Sequence, residues 1–238
     1  MGLIPLQPRA ESPNRSTIPP AFKAKEGTSV KTPIRSLMLL VLSLSLPAVG
    51  QEKGAVVAGP NSFQLSSATF ANHTTLPISM IYNDVVGGVN ICSIDGSTGG
   101  NQSPELSWIN VPPHTASFVV TVYDTTASFT HWGIYNISST ATGLPENAGV
   151  AGSSDGSQIV NDFGNAEYDG PCPPANVRPF VHDYIFTVYA LNKTFSLTGS
   201  ANFPNDAETL YQALIHAAKN GNIVGSASLT GYYSTTPK

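Results

Sequence analysis

Charge is what this 238-residue chain has least of: Asp, Glu, Lys and Arg make up 11% of it, where a globular domain carries about a quarter. That scarcity argues against a coiled coil or a charged helical bundle. Two cysteines are too few for a disulfide-framework miniprotein or a zinc ribbon. The apolar stretch Leu37 to Leu46 falls short of the roughly 20 residues a bilayer-spanning helix needs. What the chain does have is 41% hydrophobic residues, nine Tyr, ten Phe, 21 Gly and 19 Pro. Those aliphatics and aromatics argue against general disorder, and the Gly and Pro indicate a turn-rich, mostly β protein.

The charge that exists is divided along the chain. Residues 1–36 hold six basic and two acidic residues, and residues 51–238 hold five basic and thirteen acidic ones. Between them lie Leu37–Leu46 and then Pro47-Ala48-Val49-Gly50. A basic flank, a short apolar run and small residues before a cut have the layout of a secretory signal. The expected organisation is therefore a basic leader over 1–36, a signal region with its cleavage site over 37–50, and a single domain over 51–238. The product would be secreted or periplasmic. Membrane contact would come only through the signal, if it stays uncleaved. An acidic mature chain repels phosphates rather than neutralising them, which argues against nucleic acid as a partner.

Strand patterning is strongest in Phe118–Tyr123, Trp132–Ile137 and Tyr184–Leu191, with a further candidate at Pro77–Tyr82. β-branched and aromatic runs of this length fit buried strands. Residues 138–162 read as a long polar loop. One helix stands out: Asn205 three residues before Glu208 reads as a capping box, Leu210, Leu214 and Ala217 recur at helical spacing, and Lys219 with Gly221 closes it. Ile223 to Tyr233 can return as a last strand. The expected architecture is mostly β, a two-sheet antiparallel β-sandwich with a helix towards its C-terminus.

Three groups can carry chemistry: Asp124 followed by His131-Trp132, the run Tyr168-Asp169-Gly170-Pro171-Cys172-Pro173-Pro174, and His182-Asp183-Tyr184. Each sits where a strand meets a loop, so all three can converge at one end of a sandwich. Taken singly, each has a structural reading: a packed histidine, a turn-capping aspartate, a rigid proline loop.

Together, and with Ser103-Pro104-Glu105-Leu106-Ser107-Trp108 and Leu144-Pro145-Glu146, these segments resemble the phosphatidylethanolamine-binding protein family in its bacterial Raf-kinase-inhibitor-like branch. The resemblance covers about residues 60–235. Departures are visible. Where the family has Asp-Pro-Asp-Ala-Pro, this chain has Asp124-Thr125-Thr126-Ala127-Ser128. Asp183 replaces an arginine, the spacer Ala175 to Val181 is long, and Ser93-Ile94 stretches an earlier segment.

The resemblance implies a small pocket for phosphate-like anions, including phospholipid head groups. It would be formed by Asp124, His131, Gly170, His182 and Tyr184, with Cys172 and Pro174 on its wall. Imidazole N–H groups, a phenol and a backbone N–H freed by glycine can all donate to an oxyanion. Asp124 would orient one histidine and favour its protonated form, so binding should strengthen below neutral pH. The resemblance also brings Cys92 and Cys172 near the pocket, as a disulfide in an oxidising compartment or as two thiols.

The leading expectation is an exported, non-enzymatic binding protein with no cofactor and no resident metal, regulating or inhibiting a partner protein. The alternative is a metal-dependent or hydrolytic enzyme using His131, His182 and Asp124. A third class is a pure interaction protein that contacts a partner through 138–162 or 175–181.

Overall fold

The run Ser117–Asp124 is a strand because successive side chains meet two different buried surfaces. Phe118, Val120 and Val122 enter the main core, while Val119 enters a second apolar cluster on the other face. The computed structural model describes residues 61–198 and 205–236. The leader 1–36 and the signal region 37–50 lie outside the described residues.

In chain order the strands are β1 Gln64–Ser66, β2 Thr74–Thr75, β3 Val85–Val86, β4 Val89–Asn90, β5 Leu106–Ile109, β6 Ser117–Asp124, β7 Phe129–Ser138, β8 Gly143–Leu144, β9 Ser157–Gln158 and β10 His182–Leu191. Helix α1, Ala207–Lys219, and β11, Ile223–Tyr233, complete the chain. The large sheet runs β2-β11-β10-β6-β7-β9, the small one β1-β5-β8, and β3-β4 form a separate hairpin. All pairs are antiparallel except β11 with β2. The expected antiparallel sandwich with its C-terminal helix is therefore present, with one parallel edge pair added.

The core lies between the sheets. Leu106, Trp108 and Leu144 from the small sheet pack with Phe118, Val122, Phe186 and Val188 from the large one. Helix α1 covers part of the opposite face through Leu210, Leu214 and Ala217. Its N-cap is Asp206, whose side chain accepts from the Thr209 backbone N–H at 2.9 Å. The expected cap, Asn205, is displaced by one residue and its amide donates to the Leu197 carbonyl instead. Gly221 takes φ +66° just past the helix, a left-handed conformation that costs glycine nothing.

Two further expectations change. Pro77–Tyr82 is not a strand: a 3-10 turn at Ile78–Met80 closes on itself, with Met80 N donating to Pro77 O and Ile81 N to Ile78 O. Met80 and Ile81 are inaccessible, while Ile78 is exposed. The polar stretch 138–162 holds β8 and β9, and is pinned by Asn147 N to Ser103 O and Ile159 N to Gly133 O.

Candidate functional site

Three strand ends define the site. Asp124 closes β6 and lies opposite Tyr184 of β10 on one side and Phe129 of β7 on the other. Between the pairs Val122–Trp132 and Tyr123–Thr130, His131 has no partner in the register. It is the extra residue of a β-bulge, a device that re-aims a side chain at a sheet end. His182 opens β10, two residues before Tyr184, so both point to the same face.

His182 Nδ1 donates to Asp124 Oδ2 at 2.7 Å. The other carboxylate oxygen, Oδ1, accepts from the Thr126 and Ala127 backbone N–H groups at 2.8 and 3.0 Å. The Thr125–Ala127 turn thus wraps Asp124 without the prolines usual in the motif. Because the carboxylate accepts, the His182 proton sits on Nδ1, and Nε2 has no protein partner among the described residues.

His131 Nδ1 donates to the Asp169 backbone carbonyl at 2.7 Å, leaving Nε2 as the lone-pair nitrogen of the neutral ring. Burial pushes the His131 pKa below the usual histidine value, against a smaller upward pull from that carbonyl. The expected protonated, anion-ready imidazole is therefore not His131 in the free protein. Its ring sits edge-on to Tyr184 and Phe163, with centroids 5.2 and 5.5 Å away.

Tyr184 is fully buried, and among the described residues its hydroxyl makes no well-formed hydrogen bond, although the Asp124 carboxylate lies close enough to act on it. Burial, and then the negative charge of Asp124, raise its pKa, so the group remains an O–H donor. Leaving such a group unpaired costs about 1–3 kcal/mol.

These four side chains line one cavity of about 210 Å³, together with Ala127, Phe129, Phe163, Cys172, Pro173 and Pro174. Among the described residues no Lys or Arg lines it. The volume is below the roughly 300–1,000 Å³ of sites for drug-sized ligands, which suits a head-group-sized guest. Cys172 is bonded to Cys92 with Cα atoms 4.5 Å apart, so of the two readings left open for the cysteines the structure takes the disulfide. Thr235 Oγ1 donates to the Pro173 carbonyl at 2.6 Å, tying the same wall to the chain beyond β11.

Of the seven residues expected at the pocket, Asp124, His131, Cys172, Pro174, His182 and Tyr184 line the cavity and Gly170 does not. The Gly170 N–H, expected to face a ligand, donates to Asn101 Oδ1 at 2.7 Å. A Cβ there would lie 1.9 Å from the Met80 carbonyl oxygen, so glycine is required for close backbone approach. Asp183 is on the opposite pleat and does not line the cavity, which removes the anion that its replacement of arginine suggested.

Sequence reading missed Phe129 and Phe163, and the anchor behind His131. The buried Asp169 carboxylate accepts from Asn101, Asn161 and Asn165 amides at 3.1, 2.9 and 2.8 Å, fixing the peptide that holds the imidazole. Asp169 was visible inside the Tyr168–Pro174 run; its three amide partners are scattered and carried no signal. Among the described residues, no group of three His, Cys, Asp or Glu is arranged to hold a metal ion.

A family model described as phosphatidylethanolamine-binding protein matches residues 66–234. This chain belongs to the phosphatidylethanolamine-binding protein family. Among family relatives, the UPF0098 protein YbcL of Escherichia coli K12 is 38% identical over 149 residues, covering 58% of this chain and 74% of its own length. A UPF0098 protein of Methanothermobacter thermautotrophicus is 39% identical over 140 residues, 57% of this chain and 84% of that protein. The crystal structure of Escherichia coli YbcL, described as a new member of the mammalian family, superposes with a TM-score of 0.56 at 32% identity, covering 73% of this chain and 98% of that one. A putative family homologue from Chlamydia trachomatis gives 0.53 at 26% identity, with the same coverage.

Proposed function

We propose that this family member is an exported, non-enzymatic binding protein whose 210 Å³ cavity takes a phosphate-like anion such as a phospholipid head group. The observation that carries the reading is the buried Tyr184 hydroxyl, a donor with no well-formed hydrogen bond among the described residues, beside the outward nitrogen of His182. A hydrogen-phosphate group would satisfy both, one oxygen accepting from the phenol and its O–H donating to the Nε2 lone pair. The bidentate cations common at phosphate sites are missing from the lining, so the charge must be met by protons. Neutral His131 is the group placed to take one up when an anion arrives.

Export fits the layout of residues 37–50 and the Cys92–Cys172 disulfide, a bond that persists in oxidising compartments. Regulation of a partner protein is the remaining part of the reading. Its contact surface would be the segment after the cavity wall, where Val177, Phe180 and Val181 are exposed and Arg178 lies over the Phe180 ring, 4.8 Å from its centroid.

The test is calorimetric titration of the protein with phosphoethanolamine and inorganic phosphate, from pH 5 to pH 8, in buffers of differing ionisation enthalpy. Binding with net proton uptake, strengthening as pH falls and lost in His182→Ala, is expected. Affinity that is flat across that range and unchanged in His182→Ala would overturn the proposal.

A further inference from the structure

A second cavity lies on the other face of the same sheet, between the strands and the first half of α1. It holds about 460 Å³, within the range of sites that bury a small organic ligand. Its apolar surface comes from Ile185 of β10 and from Leu210 and Leu214 of α1. Three phenol rings stand around it: Tyr123 on β6, Tyr189 on β10 and Tyr211 on α1. Tyr211 is 60% exposed on the helix surface.

The charged side chains on this groove are all of one sign. Asp162 and Glu208 line it, and among the described residues no Lys, Arg or His does. Neither carboxylate has a cationic partner, since the one ion pair among the described residues is His182 with Asp124. Each acid has one structural contact: Asp162 Oδ2 accepts from the Thr130 N–H at 2.7 Å, and Glu208 Oε1 accepts from the Gln212 amide at 2.6 Å. Each carboxylate has a second oxygen with lone pairs to spare.

We infer that this groove is a second binding site, for an organic ammonium ion carried on an apolar body. Tyrosine faces attract cations by about 0.5–1 kcal/mol at exposed positions and more when water is excluded. Two uncompensated carboxylates supply the charge complement, and the Ile185, Leu210 and Leu214 surface receives the hydrocarbon. An anion would meet two like charges here and no donor of positive sign. The site therefore selects the opposite charge from the cavity around His182, and it does not depend on what that cavity binds.

The sheet and the turn at Asp162–Phe163 keep the two sites apart. Tyr123, Thr130, Asp162 and Ile185 line the groove, while their chain neighbours Asp124, His131, Phe163 and Tyr184 line the other cavity.

The experiment is an NMR titration of the protein with 4-phenylbutylammonium, its neutral alcohol 4-phenylbutanol and its anion 4-phenylbutyrate. The ammonium should bind at least about tenfold more tightly than the alcohol, with the preference shrinking at high salt. Shifts should concentrate at Tyr123, Ile185 and Tyr211, and persist in His182→Ala. Asp162→Asn with Glu208→Gln, which keeps an acceptor oxygen at each position, should bring the ammonium down to the level of the alcohol. The exposed-site variant Tyr211→Ala should weaken it without unfolding the protein. Equal binding of all three probes, no binding of any at millimolar concentration, shifts confined to His131 and His182, or concentration-dependent self-association through the groove would each overturn the assignment.

Discussion

His182 and Asp124 meet at 2.7 Å, 58 residues apart in sequence, with the Asp124 carboxylate also held by two backbone N–H groups of its own turn. Both residues are buried, so neither can be removed without leaving the other in a low-dielectric setting. Asp124→Ala should cost about 3–5 kcal/mol, the range for breaking one side of a buried pair. Urea denaturation monitored by tryptophan fluorescence measures it. A loss under 1 kcal/mol would mean that water replaces the carboxylate without penalty.

Tyr184 separates folding from binding. Its hydroxyl is buried without a well-formed hydrogen bond among the described residues, so Tyr184→Phe removes a penalised group and leaves the packed ring in place. The free protein should be unchanged or about 1 kcal/mol more stable, while phosphoethanolamine affinity falls about fivefold to tenfold. Lower stability together with full affinity would show that the hydroxyl serves the fold and not the ligand.

The sign of the His131 effect on stability follows from its depressed pKa. Between that folded value and about 6.5, the unfolded chain binds a proton that the native protein does not. Stability attached to His131 is therefore full above about pH 6.5 and declines as pH falls through the window. His131→Gln should flatten that part of the curve, as read from urea midpoints at pH 5, 6, 7 and 8. An identical slope in the variant would assign the acid sensitivity to other groups.

The long strands were legible as β-branched and aromatic runs, which at Phe118–Val122 are buried on both faces, and the helix because Leu210, Leu214 and Ala217 repeat at helical spacing. The site was legible where a residue's own type carries the chemistry, as for the two histidines, Asp124 and Tyr184. It was not legible where function depends on geometry alone. Asn101, which takes the Gly170 N–H, and Phe163, whose ring packs on both Tyr82 and His131, are ordinary residues in polar or glycine-rich stretches. Asp206 as N-cap was hidden beside Asn205 because either type serves at that position, and only the Thr209 contact decides between them.

The disulfide links the hairpin-bearing segment to the cavity wall across 80 residues. In the chain-entropy treatment, a closed loop of that length stabilises by about 4.5 kcal/mol. Dithiothreitol, or the Cys92→Ala/Cys172→Ala pair, should lower stability by up to about that amount. Phosphate affinity should weaken as well, because Cys172 and its neighbours Pro173 and Pro174 are part of the lining. Circular dichroism melts with and without reductant, run alongside calorimetry, report both effects. Unchanged affinity after complete reduction would show that the proline wall holds its shape unaided.

Four times along the chain, one peptide link separates a residue on the acidic groove from a residue on the histidine cavity. Three of those links lie in β6, β7 and β10, where inserting or deleting a single amino acid upstream would trade the inventories of the two chambers. Evolution of this scaffold is thereby confined to exchanging letters at fixed spacing within these strands, and changes of length are left to the connecting segments.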